Sequence, residues 1–491
     1  MTTPERKLTT MSPHLATRFV FPLVLLLALC VYLGNEQQGY PWGGDSALQI
    51  MHARNLAIGH PYAQTHYVYD DEAWMEGTPT FPPGLPLLLA PVYAWSGLNL
   101  EVLRDYCVVL LVLSFIPIFF FFRVWLTPWF ACLALVFTAI NRYSLSLIHN
   151  VGTEPPYLLF SFLTLFLVLW IYKTERNQTN PWGWGVLIGA LSGYTDFTRS
   201  IGIALMAGIA LYDLYRNRRP TRFLFAACLM LIVLVGAENL FLHSDTSYRT
   251  QIRFDPAVNL VNSKNYVIAS LELWLGMPGR RWPRIILWLL TTALALYGFR
   301  HKLRREGPGP ADFYAVCYLV VLYFYWTSNG RYLIPLIPIY LLYFFIGFEI
   351  LWARISLQPL IRYALAGVLV LMSIASIGSV LRLERGVMLD GVETPTYRAA
   401  IQYIRTRTPP QARIVSDSAR FLALFTDRDS VYYPVQEDTQ SIAAFLKRMH
   451  TDYALINKQQ EEDLIKLKPA LALGHWQLVF EDPEYAVYHA E

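Results

Sequence analysis

Two acidic residues at predicted helix starts are the strongest candidates for chemistry. Asp45 follows a pair of glycines, and Glu154 precedes a pair of prolines. A positioned carboxylate acts as a general base when it takes a proton from a hydroxyl nucleophile. Carboxylates near helix N-termini also have a purely structural use, because they complement the helix dipole. Both interpretations stay open for both residues on composition and position alone.

The segment around Asp45 predicts a helix with defined ends. Ser46 and Gln49 have the spacing of a capping box at its start. Gly59, with Pro61 just beyond it, predicts its end. If Ser46 caps the helix, the Asp45 carboxylate is not needed for local structure. The two glycines before Asp45 allow backbone or ligand to approach closely.

Three arginines have the side-chain chemistry to hold a phosphate near these carboxylates. Arg54 lies in the same predicted helix as Asp45, whereas Arg199 and Arg331 lie in short turns next to apolar segments. A guanidinium group pairs with phosphate through two parallel hydrogen bonds. The alternative is that these side chains reach toward lipid headgroups and bind nothing specific.

The composition indicates an integral membrane protein. Of the 491 residues, 55% are hydrophobic and 15% are charged, whereas soluble proteins carry about 25% charged residues. The formal net charge is only +4, so we predict no nucleic-acid partner. The five cysteines all fall in apolar segments, and their spacing predicts neither an external disulfide nor a zinc site.

Apolar runs near the length of about 20 residues that crosses a membrane predict eleven helical spans. They lie at 19–33, 104–122, 128–148, 155–172, 182–197, 201–215, 223–242, 285–299, 312–327, 332–352 and 361–381. The run at 84–97 has about 14 residues, which is too short to span. We therefore expect it to form a helix that lies on the outer face.

The distribution of Lys and Arg predicts the orientation of these spans. With 84–97 left out, every short loop rich in Lys and Arg falls on one side, which the positive-inside rule makes cytoplasmic. We therefore expect a multi-pass protein of the bacterial cytoplasmic membrane, with its N-terminus inside and its C-terminus outside. The long outer loops are then 34–103 and 243–284, and the three arginines named above lie on the outer side.

The last part of the chain has a different pattern. Short strand-like runs at 413–417, 430–433, 453–456 and 477–480 alternate with helical patterns. This alternation predicts a small α/β sandwich. We therefore expect two domains, a transmembrane domain over 1–383 and an extracytoplasmic α/β domain over 396–491.

Several of these segments together resemble a known family. The pair Asp45-Ser46, the run ARNLAIG at 53–59 and the run FPPGLPLLLAP at 81–91 are similar to the first outer loop of GT-C type glycosyltransferases. The runs TEP at 153–155 and RYLIP at 331–335 resemble two later motifs of the same enzymes. The narrower resemblance is to the bacterial proteins grouped with aminoarabinose transferase and protein O-mannosyltransferases. The resemblance covers most of the chain.

The resemblance implies transfer of a hexosyl or pentosyl group from a polyprenyl-phosphate donor in the membrane lipids. The acceptor would be a hydroxyl group of a lipid, glycan or protein on the outer face. Asp45 would be the base and Glu154 a second, supporting carboxylate. Expected contacts to the donor phosphate come from Arg54, Arg199 and Arg331, and expected acceptor or substrate contacts come from His52, Tyr62 and Tyr332.

Two departures from the family's pattern bear on metal binding. Many members have Asp-Glu where this chain has Asp45-Ser46, and Asp where it has Glu154. The first departure removes a second carboxylate, and both weaken the case for a metal site. We therefore do not predict a metal site, although a divalent metal ion stays open, and the sequence indicates no other cofactor.

The main alternative of a different class is a membrane transporter or a flippase for a lipid-linked or small polar substrate. Transporters often contain paired broken helices around a site near the bilayer midplane. No such pairs are predicted here, and the polar candidates cluster at one face. A glycan ligase or polymerase is a nearer alternative, against which the acidic motif of the first outer loop favours a transferase of the GT-C type.

Overall fold

The computed structural model describes residues 16–76, 78–242, 252, 254–279, 281–354 and 359–491. The N-terminus, which was predicted to be cytoplasmic, lies outside these residues. Residue 77 of the first predicted outer loop and residues 243–251, 253 and 280 of the second also lie outside them. Within the described residues the chain forms a helical bundle followed by a mixed α/β unit.

The helices are numbered here in chain order. Those of the bundle and its loops are α1 (Phe21–Leu33), α2 (Gly44–Ile58), α3 (Gly84–Ser96), α4 (Leu100–Arg123), α5 (Pro128–Ala139), α6 (Arg142–Ser146), α7 (Glu154–Lys173), α8 (Arg176–Thr179), α9 (Pro181–Thr198), α10 (Ile203–Asn217), α11 (Arg222–Phe241), α12 (Pro256–Glu272), α13 (Arg281–Glu306), α14 (Pro310–Phe324), α15 (Ile337–Arg354) and α16 (Pro359–Leu381). Those of the α/β unit are α17 (Pro395–Arg407), α18 (Ala419–Thr426), α19 (Thr439–Arg448) and α20 (Lys468–Ala472).

Six helices among the described residues are long and apolar enough to cross a membrane. They are α4, α7, α11, α13, α16, and α15 with the turn before it. Helices α5 and α6 add a seventh if this pair, bent by 48°, counts as one span. The other predicted spans correspond to the shorter helices α1, α9, α10 and α14. The chain is thus a multi-pass helical membrane protein, and the number of eleven crossings stays a prediction.

Helices α9 and α11 pack closely through glycines on one face of α9. A Cβ on Gly185 would lie 2.4 Å from the Phe223 carbonyl oxygen, and one on Gly189 would lie 2.3 Å from that of Ala227. Small residues four apart let the backbones of two membrane helices approach. This contact fixes α9, and Arg199 follows its last residue.

Three of the predicted cytoplasmic loops meet at one end of the bundle around Trp125. The Trp125 indole Nε1 donates to Glu306 Oε2 at 2.9 Å. The Lys173 and Lys302 ammonium groups lie 5.7 and 5.6 Å from the centroid of its ring. These contacts bring the ends of α4, α7 and α13 to a common side, which is the grouping that the positive-inside rule requires.

The α/β unit contains a six-stranded sheet with the strand order β1-β3-β2-β4-β6-β5. Its strands are β1 (Tyr67–Val68), β2 (Arg413–Val415), β3 (Asp429–Val431), β4 (Tyr453–Asn457), β5 (Trp476–Glu481) and β6 (Tyr485–Ala490). The first four strands in that order pair in parallel, and β6 pairs antiparallel with β4 and β5. Strand β1 comes from the first outer loop, so this loop and the α/β unit lie on the same side of the membrane.

The first outer loop and the α/β unit also share a hydrophobic core. Leu48 and Met51 of α2 are fully buried in the same cluster as Ile414 of β2 and Leu422 of α18. Burial of apolar surface stabilises a fold by about 25 cal/mol per Å², so this common core ties the two segments together. This shared core crosses the predicted domain boundary at 396, and the division into domains stays a prediction.

Helix α2 begins three residues earlier than predicted. Gly43 is its N-cap residue and no side chain caps it, whereas the Ser46 hydroxyl donates to the Val151 carbonyl at 3.0 Å. The predicted capping box is wrong, because Ser46 lies inside the helix and joins it to the segment before Glu154. The predicted helix end is confirmed, since Gly59 has a φ of 72°, in the left-handed region.

Helix α3 has 13 residues, so it is too short to cross the bilayer. Its first residue, Gly84, packs against the end of α9, where a Cβ would lie 2.5 Å from the Thr198 backbone nitrogen. The Tyr194 hydroxyl donates to the Gly84 carbonyl at 2.9 Å. Helix α3 therefore braces the part of α9 that leads into Arg199.

Candidate active site

Five charged side chains converge where the bundle meets the α/β unit. They are Asp45, Glu154, Arg199, Arg331 and Arg420, and we call them the carboxylate–arginine cluster. They come from the start of α2, the start of α7, the residue after α9, the turn before α15, and α18. Both predicted carboxylates and two of the three predicted phosphate-binding arginines are thus brought together.

Asp45 binds one arginine through each of its carboxylate oxygens. Oδ2 lies 3.1 Å from Arg331 Nη2, and Oδ1 lies 3.1 Å from Arg420 Nη1. The side chains of Asp45 and Arg331 are 51% and 43% exposed, whereas that of Arg420 is only 2% exposed. The space beside Asp45 and Arg331 is therefore accessible to a ligand, and we call it the cleft. One oxygen of the carboxylate has a buried arginine as its partner, and the other has a solvent-accessible arginine.

The arginines control the ionisation of Asp45. The surrounding protein raises the pKa of Asp45 by desolvation, but the positive charges of Arg420, Arg331 and Arg199 together lower it by more. The pKa of Asp45 therefore lies below its ordinary value, and the carboxylate is ionised at neutral pH. An ionised carboxylate accepts hydrogen bonds at up to four lone-pair positions, so it has capacity left beyond the two arginines.

Glu154 is buried beneath this cleft and pairs with two arginines. Its Oε1 lies 2.5 Å from Arg199 Nη1 and 3.8 Å from Arg331 Nε. Glu154 is also the first residue of α7, where a carboxylate complements the helix dipole. The structure thus shows the placement that the structural interpretation requires, and the functional interpretation stays a prediction. Arg331 links the carboxylate of Glu154 to that of Asp45.

Tyr332 is placed beside the cluster. The guanidinium carbon of Arg199 lies 5.3 Å from the centroid of the Tyr332 ring, which is within cation–π range. Three guanidinium groups and two carboxylates give the cluster a formal surplus of one positive charge. A positive surplus next to an open cleft favours an anionic ligand.

Arg420 is a member of the cluster that the sequence analysis missed. Its guanidinium carbon lies 4.8 Å from the Tyr67 ring centroid and 5.4 Å from that of Phe81. Its Nη2 donates to the Thr78 carbonyl at 2.9 Å. No motif marks this arginine, because it lies in a short amphipathic helix 375 residues after Asp45 in the sequence.

The glycine before Asp45 makes room for this arginine. A Cβ on Gly44 would lie 2.8 Å from the Tyr432 hydroxyl oxygen and 3.2 Å from Arg420 Cδ. The close approach that the glycine pair predicted is therefore made, at Gly44, by side chains of the α/β unit. The glycines were a usable signal for a close neighbour, although they do not identify it.

Arg54 lies away from the cluster, toward the other end of α2. Its Nη1 pairs with Asp427 Oδ1 at 2.6 Å. The rise of an α-helix places Arg54 about 13 Å along the axis from Asp45. The structure thus gives Arg54 a contact with the α/β unit, and it does not bring this residue to the predicted phosphate site.

His52 and Tyr62 are buried in the packing of the first outer loop. Their rings stack with centroids 4.3 Å apart, and His52 Nδ1 lies 2.9 Å from the Tyr62 carbonyl oxygen. The Phe81 N–H donates to His52 Nε2 at 3.3 Å, and the Tyr62 hydroxyl donates to the Phe81 carbonyl at 2.7 Å. Burial lowers the pKa of His52 to about 4, so its ring is neutral. These contacts give both residues a role in holding the loop and no opening to the cleft.

The charges that balance the two carboxylates are supplied by arginines. Among the described residues, no group of three or more His, Cys, Asp or Glu side chains is placed to hold a metal ion. Each carboxylate of the cluster already has at least one guanidinium within 3.1 Å. The side chains of this site therefore present donors that suit a phosphate group.

No family model matches the chain, and no curated protein matches it. Solved structures do match. The archaeal oligosaccharyltransferase AglB from Archaeoglobus fulgidus, in complex with an inhibitory peptide and a dolichol-phosphate, superposes with a TM-score of 0.63 at 12% identity, over 97% of this chain and 74% of that chain. ArnT from Cupriavidus metallidurans, bound to undecaprenyl phosphate, has a TM-score of 0.60 at 14% identity, over 96% of this chain and 98% of that chain.

A third similar structure is the arabinofuranosyltransferase AftD from Mycobacteria. Its TM-score is 0.53 at 13% identity, and the match covers 96% of this chain and 40% of that chain. These structural neighbours are GT-C glycosyltransferases. The GT-C resemblance predicted from the sequence is therefore confirmed for the fold.

Proposed function

We propose that this protein is a glycosyltransferase that moves a sugar from a polyprenyl-phosphate donor to a hydroxyl group of a lipid, glycan or protein. The carboxylate–arginine cluster carries this proposal, because it puts an accessible carboxylate beside accessible positive charge in a chain with the GT-C fold. The bound undecaprenyl phosphate of ArnT and the dolichol-phosphate of AglB support a polyprenyl phosphate as the lipid part of the donor.

In this proposal, Arg199 and Arg331 hold the donor phosphate. Both guanidinium groups already hydrogen-bond carboxylate oxygens, and a phosphate offers the same kind of acceptor in the same geometry. Arg331 is the more accessible of the two, at 43% against 14% side-chain exposure. Tyr332, which lies against Arg199, would line the same subsite.

Asp45 then acts as the general base. It takes the proton of the acceptor hydroxyl while the hydroxyl oxygen forms a bond to the anomeric carbon of the sugar. The bond between that carbon and the phosphate oxygen breaks, and its electron pair leaves with the polyprenyl phosphate. The arginines neutralise the charge that develops on the leaving phosphate. A positioned base typically contributes a factor of about 10²–10⁴ in rate.

Donor binding would also make Asp45 a stronger base. Arg331 has a carboxylate partner before the donor arrives and a phosphate partner afterwards. When its guanidinium shifts to the phosphate, one of the positive charges that lowers the pKa of Asp45 moves away. The pKa of Asp45 then rises, and Oδ2 is free to accept a proton. The base would thus gain strength only when a donor is in place.

The reaction would take place at the outer face of the bacterial cytoplasmic membrane. The cluster lies at the opposite end of the bundle from the basic loops around Trp125, and the positive-inside rule makes those loops cytoplasmic. A donor with a long apolar tail needs a site at the membrane surface, which suits a cluster at the ends of α7 and α9.

A direct test uses the purified protein with membrane lipid extract that contains polyprenyl-phosphate sugars. We expect free polyprenyl phosphate to accumulate in this mixture, as measured by mass spectrometry. In membranes of the strain that produces the protein, we expect a glycosylated acceptor. A flippase would move the lipid across a vesicle membrane and leave the sugar–phosphate bond intact. Transport of intact donor without release of polyprenyl phosphate would therefore reject the proposal in favour of the transport alternative.

A further inference from the structure

Arg420 occupies a position in the cluster that differs from that of the other two arginines. Its side chain is 2% exposed, compared with 14% for Arg199 and 43% for Arg331. Its guanidinium group lies beside the rings of Tyr67 and Phe81 and donates to the Thr78 carbonyl as well as to Asp45. These contacts fix it in place, so it is not available to bind a donor phosphate in the cleft.

The two oxygens of Asp45 therefore have partners of different kinds. Oδ2 faces the accessible Arg331, and Oδ1 faces the buried Arg420, each at 3.1 Å. If Arg331 moves to a donor phosphate, Arg420 stays at Oδ1. The carboxylate then remains oriented by one fixed hydrogen bond while Oδ2 is free for chemistry.

We propose that Arg420 is a positioning residue that holds the Asp45 carboxylate in its catalytic orientation, an inference that rests on the proposed function of Asp45. Arg420 belongs to α18 of the α/β unit. The α/β unit is thus a part of the active site, and it acts on the carboxylate from outside the membrane bundle. A general base that is misplaced by about 1 Å can lose a factor of about 10² in rate.

The packing around Gly44 supports this role. Gly44, the residue before Asp45, has no side chain, and a Cβ there would meet both Tyr432 and Arg420. The α/β unit can therefore approach the backbone of α2 directly beside Asp45. Strand β1 pairs with β3 and brings Tyr67 to the same place, so one face of the arginine is covered by the first outer loop itself. The first outer loop and the α/β unit therefore together enclose the Arg420 side chain, and we call this enclosure the socket.

The charged groups that face Asp45 make the inference measurable. They are Arg331 from the turn before α15, Arg199 from the end of α9, and Arg420 from α18. Removing one positive charge at hydrogen-bond distance raises a carboxyl pKa by about 1–3 units. Arg420→Gln removes the charge but keeps a donor for the Thr78 carbonyl, and Arg420→Lys keeps the charge but loses the two-pronged geometry.

The protonation of Asp45 can be followed in the full-length protein without any substrate. Infrared difference spectra during an acid titration contain the carbonyl stretch of each protonated carboxyl group, and Asp45→Asn identifies the band of Asp45 by removing it. In Arg420→Gln we expect the titration midpoint of this band to rise by about 1–3 pH units. Arg448→Gln is the matched control, because Arg448 joins the α/β unit to Asp70 of the first outer loop at 2.9 Å and does not contact Asp45.

Transfer rates provide the second measurement. We expect Arg420→Gln to lower kcat about 10–100-fold with unchanged affinity for undecaprenyl phosphate. Arg420→Lys should keep a midpoint close to that of the parent and still lower kcat, because the carboxylate is held less firmly. If Arg420→Gln does not accumulate, the kcat of Arg420→Lys tests the inference alone. A parental kcat in Arg420→Lys would reject the inference.

The results separate this inference from the proposed function. A rise in the midpoint of Arg420→Gln with a parental midpoint in Arg448→Gln supports the positioning role. A midpoint that is the same in Arg420→Gln and the parent overturns it, even if the protein transfers sugar. If the parent releases no polyprenyl phosphate, the proposed function fails, and the infrared titration still decides whether Arg420 controls Asp45.

Discussion

Arg331 Nη2 lies 3.1 Å from Asp45 Oδ2 in a cleft where both side chains are about half exposed. These two residues are 286 positions apart in the sequence and belong to the bundle and the first outer loop. Each has a partner in the cluster, and each is accessible to a ligand from the cleft. This contact is therefore the one that a donor phosphate and an acceptor hydroxyl would replace.

Arg199→Lys and Arg331→Lys should both weaken the binding of undecaprenyl phosphate by about tenfold or more. A lysine keeps the charge but loses the paired donors, and a hydrogen bond between charged groups is worth about 1.5–3 kcal/mol. Binding is measured by titration of the detergent-solubilised protein. The control is Arg382→Lys, because Arg382 follows the last residue of α16 and donates to the Leu275 carbonyl, whereas the cluster involves neither residue. Parental affinity in both test variants would contradict the phosphate assignment.

Glu154→Gln should lower the stability of the protein. Glu154 is 5% exposed and pairs with Arg199 at 2.5 Å, so the substitution leaves a buried guanidinium without its charged partner. Loss of one member of a buried ion pair destabilises a protein by about 3–5 kcal/mol, and the amide oxygen of Gln offsets part of this loss. Thermal unfolding in detergent measures the effect. An unchanged unfolding temperature with normal transfer would show that Glu154 is not needed.

Gly44→Ala should reduce the transfer rate, although it adds only one methyl group. The new Cβ would lie 2.8 Å from the Tyr432 hydroxyl oxygen and 3.2 Å from Arg420 Cδ, so the socket must open. Gly236→Ala is the matched control, because no described atom other than those of its neighbours and its own helix backbone lies within 4 Å of its Cβ position, and alanine favours the helix by about 1 kcal/mol. Transfer rates of the two variants are compared at equal amounts of folded protein. Equal rates would mean that the contact at Gly44 is not part of the site.

The pH dependence should differ between kcat/KM and kcat. The pKa of Asp45 is lowered in the free protein, so the base is ionised above that value and activity is lost only when the pH falls through it. We expect kcat/KM for the donor, which reports the free enzyme, to hold to a pH below the ordinary pKa of an Asp side chain. In the donor complex the pKa is higher, because Arg331 has moved to the phosphate, so kcat should decline at a higher pH. If kcat/KM and kcat decline at the same acidic pH, the result would contradict the exchange of Arg331 between Asp45 and the donor phosphate.

The sequence predicted the site better where residues are close in the chain to a recognisable motif. Asp45, Glu154, Arg199 and Arg331 each stand next to a span end or a family-like motif, and the structure brings them together. The distances between these side chains could not be predicted from the sequence, since only the packing of separate helices brings the pairs together. The fold class followed from long apolar runs, whose hydrophobicity depends little on neighbouring segments.

Other expectations failed because tertiary contacts override local patterns. Ser46 has the spacing of a capping residue, but its hydroxyl finds a partner in Val151 on another segment. Arg54 has a side chain that can bind phosphate, but it forms an ion pair with Asp427 of the α/β unit instead. Arg420 left no local signal at all, because an arginine in a short amphipathic helix is most often a surface residue.

The most direct measurement of the central claim is the transfer rate of purified Asp45→Asn. The amide keeps the size of the side chain and removes its ability to take a proton, so we expect the rate to fall by about 10²–10⁴. Affinity for undecaprenyl phosphate should not fall, since the amide leaves Arg331 without a competing carboxylate at Asp45. The unfolding temperature is measured alongside, because Asp45 is a charged partner of the buried Arg420, and rates are compared at equal amounts of folded protein. Asp427→Asn is the control, because it removes a carboxylate that pairs with an arginine of α2 outside the cluster. Sugar transfer by Asp45→Asn at the parental rate would contradict the account, since the base would then be another group.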